Sequence, residues 1–487
     1  MDQSTTPLVD ALRECATRAN APFHTPGHKR GQGISRRHRE LFGTQIFRSD
    51  LPELPELDNL FAPEGVIQQA QALAAKAFGA EQTWFLANGS TCGIEAAILA
   101  TCGPGDKLIL PRNAHSSAIS GLILSGATPV YIQPDYSEAW DMAIGVSPTA
   151  IEKTIAQNPT AKAVLLISPT YQGICSDVRT IAHITQTHNL PLLIDEAHAP
   201  HFAFHPDLPT SALAAGADLA VQSAHKVLSA FTQSALLHVQ GNRIDRNRLA
   251  RSLQLTQSTS PSYLLLGSLD AARHQMATDG LHLMQKTIEL ANKAHSGLSE
   301  LPGIKVLQPH QESDELKGDR TRLTIDVSPL NLTGFQADEI LHNQHQVTAE
   351  LPTLKHLTFI VSLGNTPKDI DHLIQGFRKL CQRPPSAPSI IHHSSPTTHR
   401  SPPKLTPRQA FFTPQKTLSI NQAPNHICAE TICPYPPGIP ALLPGEVITQ
   451  SAIAHLQTLL ANGAILTGCQ DPQLKTILTI DPLSLTP

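Results

Sequence analysis

No apolar run in this chain approaches the roughly 18 residues that a membrane span requires. The longest are short, such as AVLLI at 163–167. An excess of one charge is also missing. The 36 basic and 40 acidic residues leave a net charge of −4, which offers neither the basic footprint of a nucleic-acid binder nor a polybasic membrane patch. The opening residues, MDQSTTPLVDALRECATRAN, lack a basic segment followed by an apolar run, so no secretory leader is expected. Cysteine is sparse: eight residues, no two of them at CxxC spacing. In a chain this long, that scatter reads as a reduced, cytoplasmic protein whose cysteines are buried small hydrophobes rather than thiol catalysts.

What is present is an ordinary globular composition, with 40% hydrophobic and 16% charged residues. A chain of 487 residues exceeds a single core, so roughly two to four domains are expected. Residues 1–60 form a proline-punctuated N-terminal segment. From 65 to 80 the spacing predicts a helix, with Val66, Ala70, Leu73 and Ala77 on one face. A large domain is expected over 61–290 and a small α/β domain over 291–382. RPPSAPSIIHHSSPTTHRSPPK at 383–404 reads as an extended Pro/Ser-rich linker, and a C-terminal domain over 405–487 closes the chain. There are no internal repeats.

An alternation in the large domain decides the fold class. Short apolar runs at 83–86, 107–110, 128–132, 163–167, 190–194 and 218–221 read as strands, and helical stretches separate most of them. Continuous apolar strands alternating with helices imply α/β architecture around a mainly parallel sheet covered on both faces. Ligands of such sheets bind beyond the carboxyl ends of the strands, so the residues just after each strand carry the reading.

After TWFL comes ANGST. Gly89 suits a tight turn, and Ser90 and Thr91 open a helix whose exposed N–H groups suit a phosphate, although a plain Ser/Thr cap reads the same way. After KLIL comes PRNAHSS, where His115 at the rim could stack on a flat ring. After PLLI comes DEAHAPH, where Asp195 is a charge at a buried strand end that needs a partner. His198, His201 and His205, with Asp195 and Glu196, also raise a metal site. Their spacing is not a standard zinc pattern and Pro200 disfavours a helical one, so no metal is expected. After DLAV comes QSAHK, where Lys226 stands in an apolar segment; partial desolvation would lower its proton affinity and make it nucleophilic. Each feature alone has a bland alternative. Together, in this order, they match what pyridoxal 5'-phosphate needs. Lys226 would hold the aldehyde as a Schiff base, and Asp195 would keep the pyridine nitrogen protonated. His115 would stack on the ring, and Ser90, Thr91, Ser223 and His225 would grip the phosphate.

At these residues the sequence resembles the Orn/Lys/Arg decarboxylase family of fold-type I pyridoxal-phosphate enzymes. The likeness runs over nearly the whole chain, from FHTPGHKRG to PYPPGIPALLPGE. It is densest in LANGSTCGIEAAILA, LLIDEAHAPHFAFHP, GADLAVQSAHKVLSAFTQSALLHV and TSPSYLLLGSLDAAR. The resemblance implies an aspartate-aminotransferase-like large domain, a small α/β domain and a C-terminal α+β domain. It implies Lys226 as the Schiff-base lysine, Asp195 at the ring nitrogen, His115 on the ring face and His198 near the ring oxygen. Ser90, Thr91, Ser223 and His225 would contact the phosphate. It also implies a homodimer, with residues 259–263 reaching the neighbour's site and the C-terminal domain shaping the entrance. The chain departs from the family at Ser116 (usually lysine), Ala199–Pro200 (Gly-Ala), Ala224 (threonine) and Asn425–His426 (Gly-Arg).

The expected reaction is α-decarboxylation of a basic amino acid, arginine being favoured over lysine or ornithine. It would give CO2 and a polyamine or polyamine precursor, with Lys226 or His225 returning a proton to Cα. A distal cation needs a carboxylate; Glu446 is the candidate, with capping of a C-terminal-domain helix as its alternative. Two other readings stand beside this one. A same-fold aminotransferase would carry an arginine to clamp the substrate carboxylate, and HLTFIVSLGNT at 356–366 has none. A catalytically degenerate, antizyme-like regulator would not need Lys226 and Asp195, and both are present.

Overall fold

The computed structural model describes residues 1–308, 318–384, 403–435, 438–481 and 483. Most of the proline- and serine-rich stretch 383–404 lies outside the described residues. The chain forms two compact units, Met1–Ala100 with Pro191–Gln285, and Thr101–Leu190 with Lys286–Pro487.

In the first unit four strands lie side by side in the order Gln82–Leu86, Ala235–Val239, Leu219–Gln222, Leu192–Asp195. Leu192–Asp195 and Leu219–Gln222 run parallel, with Leu193 opposite Leu219 and Asp195 opposite Val221. Ala235–Val239 runs antiparallel to both of its neighbours. This strand is absent from the sequence expectation. ALLHV has a single β-branched residue, so its local preference for a strand is weak. Burial on both sides imposes the extended form, and all five of its residues are buried. The two parallel strands are buried at every position, as continuous apolar runs predict.

The helix expected at 65–80 forms as Val66–Phe78. Its buried face is rotated from the predicted one. Ile67, Ala70, Leu73, Ala74 and Phe78 are buried, while Val66 and Ala77 are only half covered. A second helix, Gly89–Thr101, lies close on the sheet. A Cβ on Gly93 would come within 2.7 Å of Leu86 and 2.8 Å of Val221, so only glycine permits that approach.

In the second unit Lys107–Pro111 runs parallel between Thr128–Ile132 and Ala161–Ile167. The strands of the large domain are therefore mainly parallel, and the fold is mixed α/β. The small domain carries an antiparallel sheet in the order Lys305–Val306, Arg322–Asp326, His356–Ile360, Leu351–Pro352. Its helices Gly334–His345 and Pro367–Cys381 both start with a capping box, Thr333 with Gln336 and Thr366 with Asp369. Leu323, Ile325, Leu357, Phe359 and Phe377 fill its core. The C-terminal part pairs Gln415–Ser419 with Thr476–Ile480, and Cys433–Tyr435 with Ile465–Thr467. Ile432, Leu442, Leu456 and Ile477 form its core. Among the described residues no helix is long and apolar enough to cross a membrane.

Candidate active site

The first unit brings together seven of the residues singled out in the sequence. Strand Gln82–Leu86 turns at Gly89 into helix Gly89–Thr101, so Ser90 and Thr91 stand in its first turn. The turn is braced by side chains: Ala87 donates its N–H to Gln257 Oε1 at 2.9 Å, and Gln233 Nε2 donates to the Ala87 carbonyl at 2.7 Å. Ser223, fully buried, donates its hydroxyl to Ser90 Oγ at 2.9 Å. Two hydroxyls thus meet where the helix start presents its N–H groups.

Past Ser223 the chain makes one helical turn, Ala224–Val227. His225 Nδ1 donates to the Ser234 carbonyl at 2.9 Å, which fixes the ring proton on that nitrogen. Lys226 is half-buried, and its Nζ is hydrogen-bonded to His198 Nε2 at 2.9 Å. Asp195 is buried at the end of its strand, where its Oδ1 accepts from the Ala197 N–H at 3.2 Å. The DEAH and SAHK stretches therefore meet at their functional groups.

Directly beside Asp195 is a polar chain that the sequence reading did not assemble. Glu196 accepts from the Ala212 N–H at 2.7 Å and from Gln222 Nε2 at 2.8 Å. Gln222 Oε1 accepts from His238 Nε2 at 3.0 Å, and the Thr83 hydroxyl stands 2.7 Å from His238 Nδ1. Burial pushes Glu196 up to about 8 and His238 down to about 3, so both are neutral at pH 7. A neutral His238 that donates from Nε2 must accept at Nδ1, so the Thr83 hydroxyl is the donor there. A signal for this chain was available. Gln222, His238 and Thr83 are polar residues inside otherwise apolar strands, and buried polar groups are nearly always paired.

The remaining histidines of DEAHAPHFAFH turn to other partners. His205 pairs with Gln285 Oε1 at 2.9 Å, and His201 packs against the Phe202 ring. Among the described residues no three His, Cys, Asp or Glu side chains are grouped to hold a metal. In TSPSY, Tyr263 is fully buried and donates to the Asp58 carbonyl at 2.5 Å, while Thr259 and Ser260 are exposed.

His115 and Glu446 belong to the second unit. His115 caps helix Ser116–Ser125, with its Nδ1 accepting from the Ser117 N–H at 3.2 Å. Glu446 corrects the expectation of a substrate-facing carboxylate and also that of a helix cap. It is buried in a two-point ion pair with Arg112, Nε to Oε1 at 2.7 Å and Nη2 to Oε2 at 2.6 Å, and it accepts from the Leu443 N–H at 3.0 Å. Both of its oxygens are engaged by the chain itself. The departure at Asn425 has a simple account. Its φ is 67°, a left-handed conformation that favours glycine and that asparagine tolerates.

A mixed α/β domain with mainly parallel strands, carrying a lysine, an aspartate and a hydroxyl pair beyond their carboxyl ends, is the architecture of the fold-type I enzymes. The solved lysine decarboxylase of Francisella novicida shares this fold, with a TM-score of 0.84 and 23% identity over 98% of this chain and 81% of that one. The family model for the Orn/Lys/Arg decarboxylase major domain matches residues 6–364, and that for the C-terminal domain of the same family matches 394–469. The arginine decarboxylase of Bacillus subtilis is 36% identical over 489 residues, covering 99% of both chains. That of Halalkalibacterium halodurans is 36% identical over 493 residues, covering 98% of both. The chain belongs to the Orn/Lys/Arg decarboxylase family and is an enzyme of the decarboxylase class.

Proposed function

We propose that this protein removes the α-carboxylate of arginine as CO2, using pyridoxal 5'-phosphate, and that lysine or ornithine is the less favoured substrate. The observation that carries the reading is the half-buried Lys226 amine, held 2.9 Å from His198 in the loop that follows a buried strand. The residues present fit the cofactor. Lys226 supplies an amine for the aldehyde, and Asp195 a carboxylate for the ring nitrogen. The Ser90–Ser223 hydroxyl pair at a helix start supplies donors for the phosphate. Thr91 and His225 would complete that cradle, His198 would face the ring oxygen and His115 the ring plane. When bound, the cofactor supplies the electron sink that decarboxylation needs.

The chain's own groups do the rest. Asp195, buried, holds the proton on the ring nitrogen by charge. His198, 2.9 Å from the Lys226 Nζ, would hold the amine in place. Lys226 or His225 returns a proton to Cα after the carboxylate has left. The two full-length arginine decarboxylase relatives favour arginine as the substrate. Cytoplasmic location and a homodimer complete the reading.

Purified protein given pyridoxal phosphate should show a visible absorbance band that Lys226→Ala abolishes. Incubated separately with arginine, lysine and ornithine, it should release the amine and CO2, fastest from arginine. A keto acid in place of the amine would sink the decarboxylase reading, and sedimentation as a monomer would sink the dimer.

A further inference from the structure

We infer that the C-terminal domain is a positioning element for His115, set by the buried Arg112–Glu446 pair and by the close approach of Gly438 to the imidazole. The inference rests on the proposed meeting of His115 with the cofactor. It begins with Arg112, the residue after strand Lys107–Pro111 and three residues before His115. Arg112 is 2% exposed, and its guanidinium is held by the segment around 440–446. Besides its two bonds to Glu446, Nη1 donates to the Pro440 carbonyl at 3.0 Å and Nη2 to that of Ala441 at 3.4 Å. The Tyr131 ring lies 5.9 Å away. A buried ion pair is a poor source of net stability, because the desolvation of two charges offsets most of their attraction. What a two-point guanidinium–carboxylate pair does supply is geometry, since the planar fork accepts only one orientation.

That geometry is passed on to His115. The Ser116 N–H donates to the Gly438 carbonyl at 3.3 Å, tying the start of the helix to the C-terminal segment. Gly438 has φ +85°, and a Cβ added there would lie 3.2 Å from His115 Nε2. The imidazole is therefore bounded on two edges. Ser117 engages Nδ1 through its N–H and, at 2.9 Å, through its hydroxyl, while the Gly438 backbone faces Nε2. Tilt of the ring away from Ser117 is limited by a residue of another domain, and Arg112–Glu446 fixes where that residue sits.

The test uses full-length cofactor-free protein titrated with pyridoxal phosphate, in a cycle of Gly438→Ala, His115→Ala and the double variant. Gly438→Ala should weaken cofactor affinity about tenfold and shift the absorbance band, while melting stays within about 3 °C of the parent. In the His115→Ala background the same substitution should change affinity less than about twofold, because coupled residues are not additive. Equal losses in both backgrounds, or no loss in the parent, would overturn the inference and leave the decarboxylase reading intact. An unchanged affinity in His115→Ala alone would instead remove His115 from the cofactor site, and the inference with it. As a second route, Arg112→Gln combined with Glu446→Gln avoids leaving either charge unpaired. It should lower affinity in the parent but not in His115→Ala, and loss in both would count against positioning.

Discussion

Glu196 and Glu446 are both buried glutamates, 2% and 4% exposed, and their surroundings give them opposite characters. Glu196 meets only neutral donors, the Gln222 amide and the Ala212 N–H. Burial therefore wins, its pKa rises to about 8, and it stays protonated at neutral pH. Glu446 meets the guanidinium of Arg112 at two points and is one half of an ion pair. The contrast teaches that burial alone does not tell what a carboxylate does; the charge of its partner decides. It also bears on the candidate site, because the chain neighbour of Asp195 is this neutral glutamate.

The largest effect should come from breaking the ion pair on one side. Glu446→Gln leaves Arg112 as an uncompensated buried charge and should cost about 3–5 kcal/mol in denaturant unfolding. If the loss were under about 1 kcal/mol, the pair would be no different from a surface contact.

Next in size is the pH dependence contributed by Glu196. Its folded pKa lies above the unfolded value of 4.5, so its stability contribution is full below pH 4.5 and is lost as pH rises through about 8. The loss should be on the order of a few kcal/mol across that window. Glu196→Gln keeps the shape and should flatten this alkaline limb; an unchanged limb would mean that Glu196 is ionised in the native protein.

His238 should act oppositely and over a window of similar width. Its folded value, about 3, lies below 6.5, so its contribution is present above pH 6.5 and lost as pH falls toward 3. A His238→Gln variant should lose about 1–2 kcal/mol at pH 7 through the broken links to Gln222 and Thr83, and should soften the acid limb. The smallest effect expected is none. Among Glu446→Gln molecules that remain folded, the preference among arginine, lysine and ornithine should match the parent's, and a changed preference would return Glu446 to the substrate.

Much of the large domain was legible because its information is local. Apolar runs bounded by turn residues mark buried strands, and the residues at their carboxyl ends can be read off directly. Ser90, Asp195, Ser223 and Lys226 were singled out that way, and the structure pairs Ser90 with Ser223 and Lys226 with His198. Ala235–Val239 was missed because its residue types favour no strand, and its extended form depends on neighbours at 82–86 and 219–222. The face of helix Val66–Phe78 was misjudged by one position, since helical spacing fits adjacent faces of an alanine-rich segment about equally well. Glu446 was misread for a different reason. Its acidity is visible in the sequence, whereas its partner lies 334 residues away.

The sequence by itself determined the alternation of strands and helices and the kinds of side chain at the strand ends, because hydrophobic period and turn chemistry act over a few residues. It also carried the family, through motifs spread along nearly the whole length. Tertiary structure alone decided which buried carboxylate is charged and which neutral, and which histidine nitrogen donates. Those properties depend on desolvation and on the partner brought alongside, 26 residues away for Glu196 and 334 for Glu446. No local pattern encodes an interaction whose two halves meet only when the chain has folded.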